Sequence, residues 1–382
     1  MASSEKRIIT AAISAVCALL FLLGLFLLGR SVGSASGARE REVSALEPAP
    51  AYTQYINNLS SAAMDGVMTI ARSYQLAEDT VVAPAPIPTS SGESADPAVI
   101  AEVVSQAAPL LDGQELLWSE DTPAIPGTAA RWYLDETILS LAWKQEFYGC
   151  AFNFCEVKVS HPSQFRRYLA DNTFASPIQY RPTEMAAAVN AVTAMSADFY
   201  KFRNYGVVVY QRQLYRSDGK TLDICYVDGD GNLNYVRRGE LTDEAAIRQY
   251  IEDNDILFSL AFGPVMIENG EDTLPGSYPI GEINNTYSRS VLCQLGDCHY
   301  LLVTVNYEDG YPKTATLRQT TDALLSLGVP NAYALDGGQT ASLILNGSLY
   351  NHVDWGEERT MSDIIYFATA IPDESGGEGE HG

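Results

Sequence analysis

Asn331-Ala332-Tyr333-Ala334-Leu335-Asp336-Gly337-Gly338-Gln339-Thr340 reads as a strand that ends on an acid, two glycines and a hydroxyl residue. Adjacent glycines let backbone approach a ligand closely, with N–H groups turned to an anion or a sugar hydroxyl. They serve a tight turn equally well, and another strand begins at Ser342. On residue types alone both readings stand.

Outward from this stretch the elements intermix. Downstream, Asn346-Gly347 between Ser342–Leu345 and Ser348–Leu349 is a two-residue hairpin turn. Upstream, Thr320–Leu327 reads as a helix stopped by Gly328. Val291–Gln294 and Tyr300–Val305 pair across a loop flanked by Cys293 and Cys298, close enough for a predicted disulfide. Asp223–Val227 and Leu233–Val236 form a hairpin around Asp228-Gly229-Asp230-Gly231. That loop lacks the Glu of a calcium loop, because Gly239 stands at its twelfth position. Thr242 caps a helix through Ile251, Thr183–Val192 is helical, and Val207–Tyr210 and Gln213–Tyr215 are strands. Ser160-His161-Pro162 predicts a helix through Leu169. Without a regular βαβ alternation, the fold class is α+β: mixed β-sheets with packed helices.

The share of charged residues is low for a cytosolic protein and common for one that works outside the cell. The chain has 382 residues and a formal net charge of −24, and only 19% of its residues are charged. With a pI near 4.4 and no basic tract, a nucleic-acid partner is excluded. Ile8 to Leu28 is uncharged and, at about 1.5 Å per residue, long enough to span a bilayer. It exceeds a usual signal-peptide core, although Ser34–Ala38 offers a cleavage site, and we read it as an uncleaved anchor. The organisation is then residues 1–30 as cytoplasmic stub and anchor and 31–130 as stalk helix and linker. Residues 131–371 form the exported domain and 372–382 an acidic, disordered tail. The stalk stripe runs from Tyr52 to Tyr74, and the linker holds Pro84, Pro86, Pro88 and Pro97. Scattered His and the absence of a close Cys pair argue against a metal, and no cofactor is expected.

Four ordered blocks carry a resemblance. Asn331–Gly338, Leu345-Asn346-Gly347, Asn351, Glu358-Arg359 and Ser362–Tyr366 resemble the C-terminal signature of the phosphodiester glycosidase family. Asp198-Phe199-Tyr200, Phe262-Gly263-Pro264-Val265 and Arg289-Ser290 match earlier family elements in order. Departures are Ser196-Ala197 for Asn-Gly, Val305-Asn306-Tyr307-Glu308 for Val-Asp-Gly-Arg, and Gln339-Thr340-Ala341 for Gly-Ser-Ser.

The resemblance implies cleavage between a sugar anomeric carbon and a phosphodiester. That reaction calls for a carboxylate beside an oxocarbenium-like centre and cations on the phosphate. Asp198 and Asp336 are the catalytic candidates. Arg289, Gly337, Gly338, Gln339, Thr340, Asn351, Arg359 and Asp363 are the substrate- and phosphate-binding candidates. The expected partners are a glycan or sugar-phosphate substrate and, through the N-terminal helix, the cell membrane. A degenerate relative that binds an envelope glycan or protein without turnover is the alternative.

Overall fold

The computed structural model describes residues 86–370 apart from Gly281. The anchor, the stalk stripe and the acidic tail lie outside the described residues. Among the described residues no helix is long and apolar enough to cross a membrane.

A nine-stranded sheet organises the domain. Its spatial order is Ser90–Ser94, Ala130–Leu134, Ile138–Phe147, Cys150–Val159, His299–Asn306, Arg289–Gly296, Asn331–Leu335, Val265–Glu268 and Glu271–Asp272, each neighbour antiparallel. Period-two alternation gives it two apolar faces. Leu139, Leu141, Val291, Cys293, Leu301 and Val303 face helices Pro97–Gln106 and Leu317–Ser326. Their alternates Ile138, Leu292, Tyr300, Leu302, Tyr333 and Leu335 face a second sheet. That sheet runs Ser348–Leu349, Leu343–Leu345, Thr193–Ser196, Asp363–Phe367 and Phe165–Leu169. The layers are therefore helix, sheet, sheet, which agrees with the α+β expectation. A three-stranded sheet (Leu233–Val236, Ile224–Asp228, Ile256–Leu260) and the hairpin of Gly206–Tyr210 with Gln213–Asp218 close one end.

Local signals set most element ends. Thr316 caps the helix Leu317–Ser326 in a capping box with Gln319, and Gly328 at φ 75° ends it. Asn346 and Gly347, at φ 49° and 77°, make the expected hairpin turn. Asp243 rather than Thr242 caps the helix Glu244–Asp253.

Three further expectations are corrected. After His161 only one short turn forms, Pro162–Gln164, and Phe165–Leu169 is a strand paired with Asp363–Phe367. A full five-residue ladder outweighs the local helix-start signal there. Cys293 and Cys298 are free: Cys293 stands opposite Leu301, and Gly296 opposite His299 leaves Cys298 inside the turn at φ 52°. Upstream of Arg131, part of the stretch read as linker instead builds the domain. Ser90–Ser94 is a sheet strand, and Ile100, Val103 and Leu111 are core residues. Of the linker prolines, Pro86 and Pro88 lie before the strand and Pro97 at the helix start, positions that need no backbone N–H, while Pro84 lies outside the described residues.

Candidate active site

Asp336 follows the last residue of strand Asn331–Leu335, on the rim of a cavity of about 270 Å3. Phe262, Gly263, Arg289, Gly337 and Gly338 also line it. Its backbone is fixed from the neighbouring sheet: Asp336 N–H donates to Ala197 O at 3.1 Å, and Ser196 Oγ donates to Asp336 O at 3.3 Å. The Ser196-Ala197 pair thus supports the acid-bearing turn. The Asp336 residue keeps partial exposure, yet burial of its carboxyl raises the pKa to about 6. Thr340, Arg203 and Arg359 pull it down, and Asp198 pushes it up.

The glycines earn their place by close approach. A Cβ on Gly337 would meet Ser288 O at 2.3 Å, and Gly338 adopts φ 64°. Gly338 N–H donates to Ser288 O at 2.7 Å, so this amide is spent inside the protein rather than held out for a ligand. Thr340 Oγ1 donates to Gly337 O, and Gln339 Nε2 to Glu357 O. Asn351 is saturated as well. It accepts from Leu343 N–H at 2.7 Å and donates to Asn306, Ala341 O and His352 O, pinning the turn from behind.

Asp198 stands behind this turn, its side chain wholly inaccessible. One oxygen takes Ala261 N–H at 2.8 Å and lies 3.3 Å from Arg167, and the other takes Arg203 at 3.2 Å. Asp363 is equally inaccessible and takes two N–H groups of Arg167, at 2.9 and 2.6 Å. Asp363 therefore pairs with Arg167. Burial pushes the Asp363 carboxyl up while Arg167 opposes it, and both carboxylates hold Arg167 charged. Arg167 also donates to Ser259 O, so the four-residue ionic cluster ties the five-stranded sheet to strand Ile256–Leu260.

The two arginines singled out in the sequence differ. Arg289 is buried, and its guanidinium donates to Ala315 O, Glu282 O and Asn285 O. It borders the cavity, with burial lowering its pKa to about 10. Arg359 is exposed, stacks at 5.8 Å on Phe202 and is close enough to lower the Asp336 pKa. The preceding Glu358 fixes its loop by accepting from Thr183 N–H and Oγ1 at 3.0 and 2.7 Å.

Sequence reading missed Arg203. Its guanidinium sits against the rings of Phe199, Tyr205 and Phe262, and buried Nε and Nη1 have no hydrogen-bond partner. Its Nη2 donates to Asp198 and to Ala261 O, and its charge reaches Asp336 through space. The aromatic residues around it (Phe199, Tyr205, Phe262) were the available signal. Among the described residues no three His, Cys, Asp or Glu side chains gather as a metal site.

An acid and two glycines on one turn, with Arg289 and Arg359 on neighbouring segments, are the features that the sequence resemblance singles out. Residues 187–368 match the phosphodiester glycosidase family. The matched stretch contains the whole candidate site, from Asp198 to Asp363, whereas the sheet strands upstream of Thr193 fall outside it. The SPbeta prophage-derived uncharacterized protein YomE of Bacillus subtilis (strain 168) is 23% identical over 181 residues. That match takes in 43% of this chain and 28% of the relative, so the chain spans about a quarter of the curated relative's length. Among solved structures, the zebrafish N-acetylglucosamine-1-phosphodiester alpha-N-acetylglucosaminidase catalytic domain, auto-inhibited by its pro-peptide, is 15% identical. It aligns over 74% of this chain and 97% of its own, with a TM-score of 0.49. A hypothetical protein from Synechocystis, also 15% identical, aligns over 65% of this chain and 64% of its own, with a TM-score of 0.44.

Proposed function

We propose that this protein hydrolyses a sugar-1-phosphodiester bond in an envelope or extracellular glycan, from an exported domain anchored by Ile8–Leu28. The observation that carries the reading is Asp336: a carboxyl raised to about 6, bordering a small cavity on the double-glycine turn of a phosphodiester glycosidase-like stretch.

The chemistry needs little proton donation, since the departing phosphomonoester is already a stable anion. Positive charge develops at the anomeric carbon, and an ionised Asp336 stabilises it or activates water. Arg359, exposed beside this carboxylate, suits the phosphate better than Arg289, whose donors are engaged with three carbonyls. Asp198 and Asp363 support the site as structural partners of Arg167 and Arg203.

The test is release of free sugar from a GlcNAc-1-phosphodiester by wild type and by Asp336→Asn. We expect turnover by the wild type and a loss of about 10²-fold or more in the variant. A wild type that binds phosphodiester-linked sugars yet releases none from a broad panel decides for the non-catalytic glycan binder. Equal activity in both proteins removes Asp336 from the site.

A further inference from the structure

Beside the Asp336 cavity lies a larger concavity that the reaction does not use. Two hollows of about 840 and 890 Å3 share Lys144, Glu308, Asp309 and His352, so they form one groove. Its wall is common with the cavity: Ser288, on the cavity side, donates its hydroxyl to Asp354, on the groove side, at 2.7 Å. The floor is polar and fixed. Lys144 Nζ donates to Glu308 at 2.8 Å and lies 5.3 Å over the Tyr350 ring, while Glu308 accepts His352 N–H at 3.0 Å. The rim is aromatic and open. Trp355 is 85% exposed and Tyr307 49% exposed.

Trp355 is the informative residue. Its backbone sits at φ 64°, a region that bulky side chains rarely adopt, and its indole buries almost nothing in return. Packing therefore gives no reason for a tryptophan there. A ligand-facing aromatic does.

We propose that this groove holds a neutral saccharide chain that continues from the sugar-phosphate in the Asp336 cavity, with Trp355 and Tyr307 as stacking platforms. This rests on the reaction proposed above, and it makes the substrate an oligosaccharide rather than a lone sugar phosphodiester. A pyranose ring offers a C–H face to an aromatic plane and hydroxyl edges to a polar floor, and the groove presents both. Charge restricts the occupant. Glu146, Glu308, Asp309 and Asp354 outnumber Lys144 and His352 along the walls, in a chain of net charge −24, so polyanions are repelled.

The experiment compares the full chain with Trp355→Ala on two substrates: a monosaccharide GlcNAc-1-phosphodiester, and the same bond at the end of a neutral oligosaccharide. The exposed position leaves folding untouched. We expect KM for the long substrate to rise roughly tenfold, the order of one lost aromatic contact, with kcat unchanged and the short substrate unaffected. Binding of a chitooligosaccharide series to Asp336→Asn, read by calorimetry, should weaken alike when Trp355→Ala is added. Equal kinetics on both substrates, or binding indifferent to Trp355, overturns the groove while leaving the reaction intact. Trp355-dependent binding with no hydrolysis by wild type overturns the reaction and upholds the groove. Neither binding nor hydrolysis overturns both.

Discussion

At the residue scale, the environment of Asp336 fixes the direction of its pH effects. Burial raises its pKa from 3.8 to about 6, so the folded chain binds this proton more tightly than the unfolded chain does. The group's contribution to stability is therefore full at low pH and is lost as pH climbs from near 4 through about 6. Activity should move oppositely, rising through about 6 because the reaction uses the ionised carboxylate. We expect a kcat/KM profile with that rising limb. Asp336→Asn should flatten the matching fall in melting temperature. A rate that declines across the same interval would assign Asp336 the role of acid. Arg203 lowers the Asp336 pKa, so Arg203→Gln should move the rising limb to higher pH, and Arg203→Lys should move it less. If Arg203 were only a structural filler, the limb would stay put. For Asp363 the expected effect is on folding. Asp363→Ala leaves buried Arg167 with one fewer counter-charge and should cost about 3–5 kcal/mol in denaturant melts.

At the element scale, the double-glycine turn is where local sequence and tertiary structure meet. Asp-Gly-Gly announced either a turn or a ligand loop, and the structure gives a turn on a cavity wall. What no local pattern showed was Ser288 O packed against Gly337, because that contact joins segments far apart in the chain. We expect Gly337→Ala to cost about 1–3 kcal/mol by forcing the Ser288 backbone away, and to damage the cavity that Ser288 also lines. Gly276, with open space around it, is the control, and Gly276→Ala should be near neutral. Equal melts for the two variants would mean that the close approach carries no energy. The same division explains the other readings. Asn346-Gly347 and Gly328 act through their own backbone dihedrals and were legible. Phe165–Leu169 was misread because its partner, Asp363–Phe367, lies almost two hundred residues away. Arg203 was missed although Asp198, Phe199 and Tyr205 are written close to it, because the contacts that bury it, Ala261 O and the Phe262 ring, come from a distant segment.

At the scale of the whole molecule, the described residues belong to one compact unit, and its first elements come from a stretch whose prolines and serines read as linker. Ser90–Ser94 pairs along the full length of Ala130–Leu134, and the Trp132 indole N–H donates to Ser90 Oγ at 3.0 Å. Gly92 lies so close to that indole that a Cβ would stand 2.9 Å from it. Ile100, Val103, Ala107, Leu111 and Trp118 cover the helix-side face of the large sheet. The N–H groups of Leu117 and Trp118 converge on buried Glu156, which also accepts from His299. A chain begun at Arg131 would lose all of this at once. It would open an apolar sheet face, leave a strand edge unpaired and strip two donors from a buried carboxylate. Burial of four to five such side chains contributes about 1.5–3 kcal/mol each, a large share of an ordinary domain's net stability. We therefore expect the shortened chain to aggregate, or to melt tens of degrees below the full chain without cooperativity, when the two are followed side by side by circular dichroism. A cooperative melt at the full chain's temperature would show that the upstream strand and helices only rest on a domain complete without them.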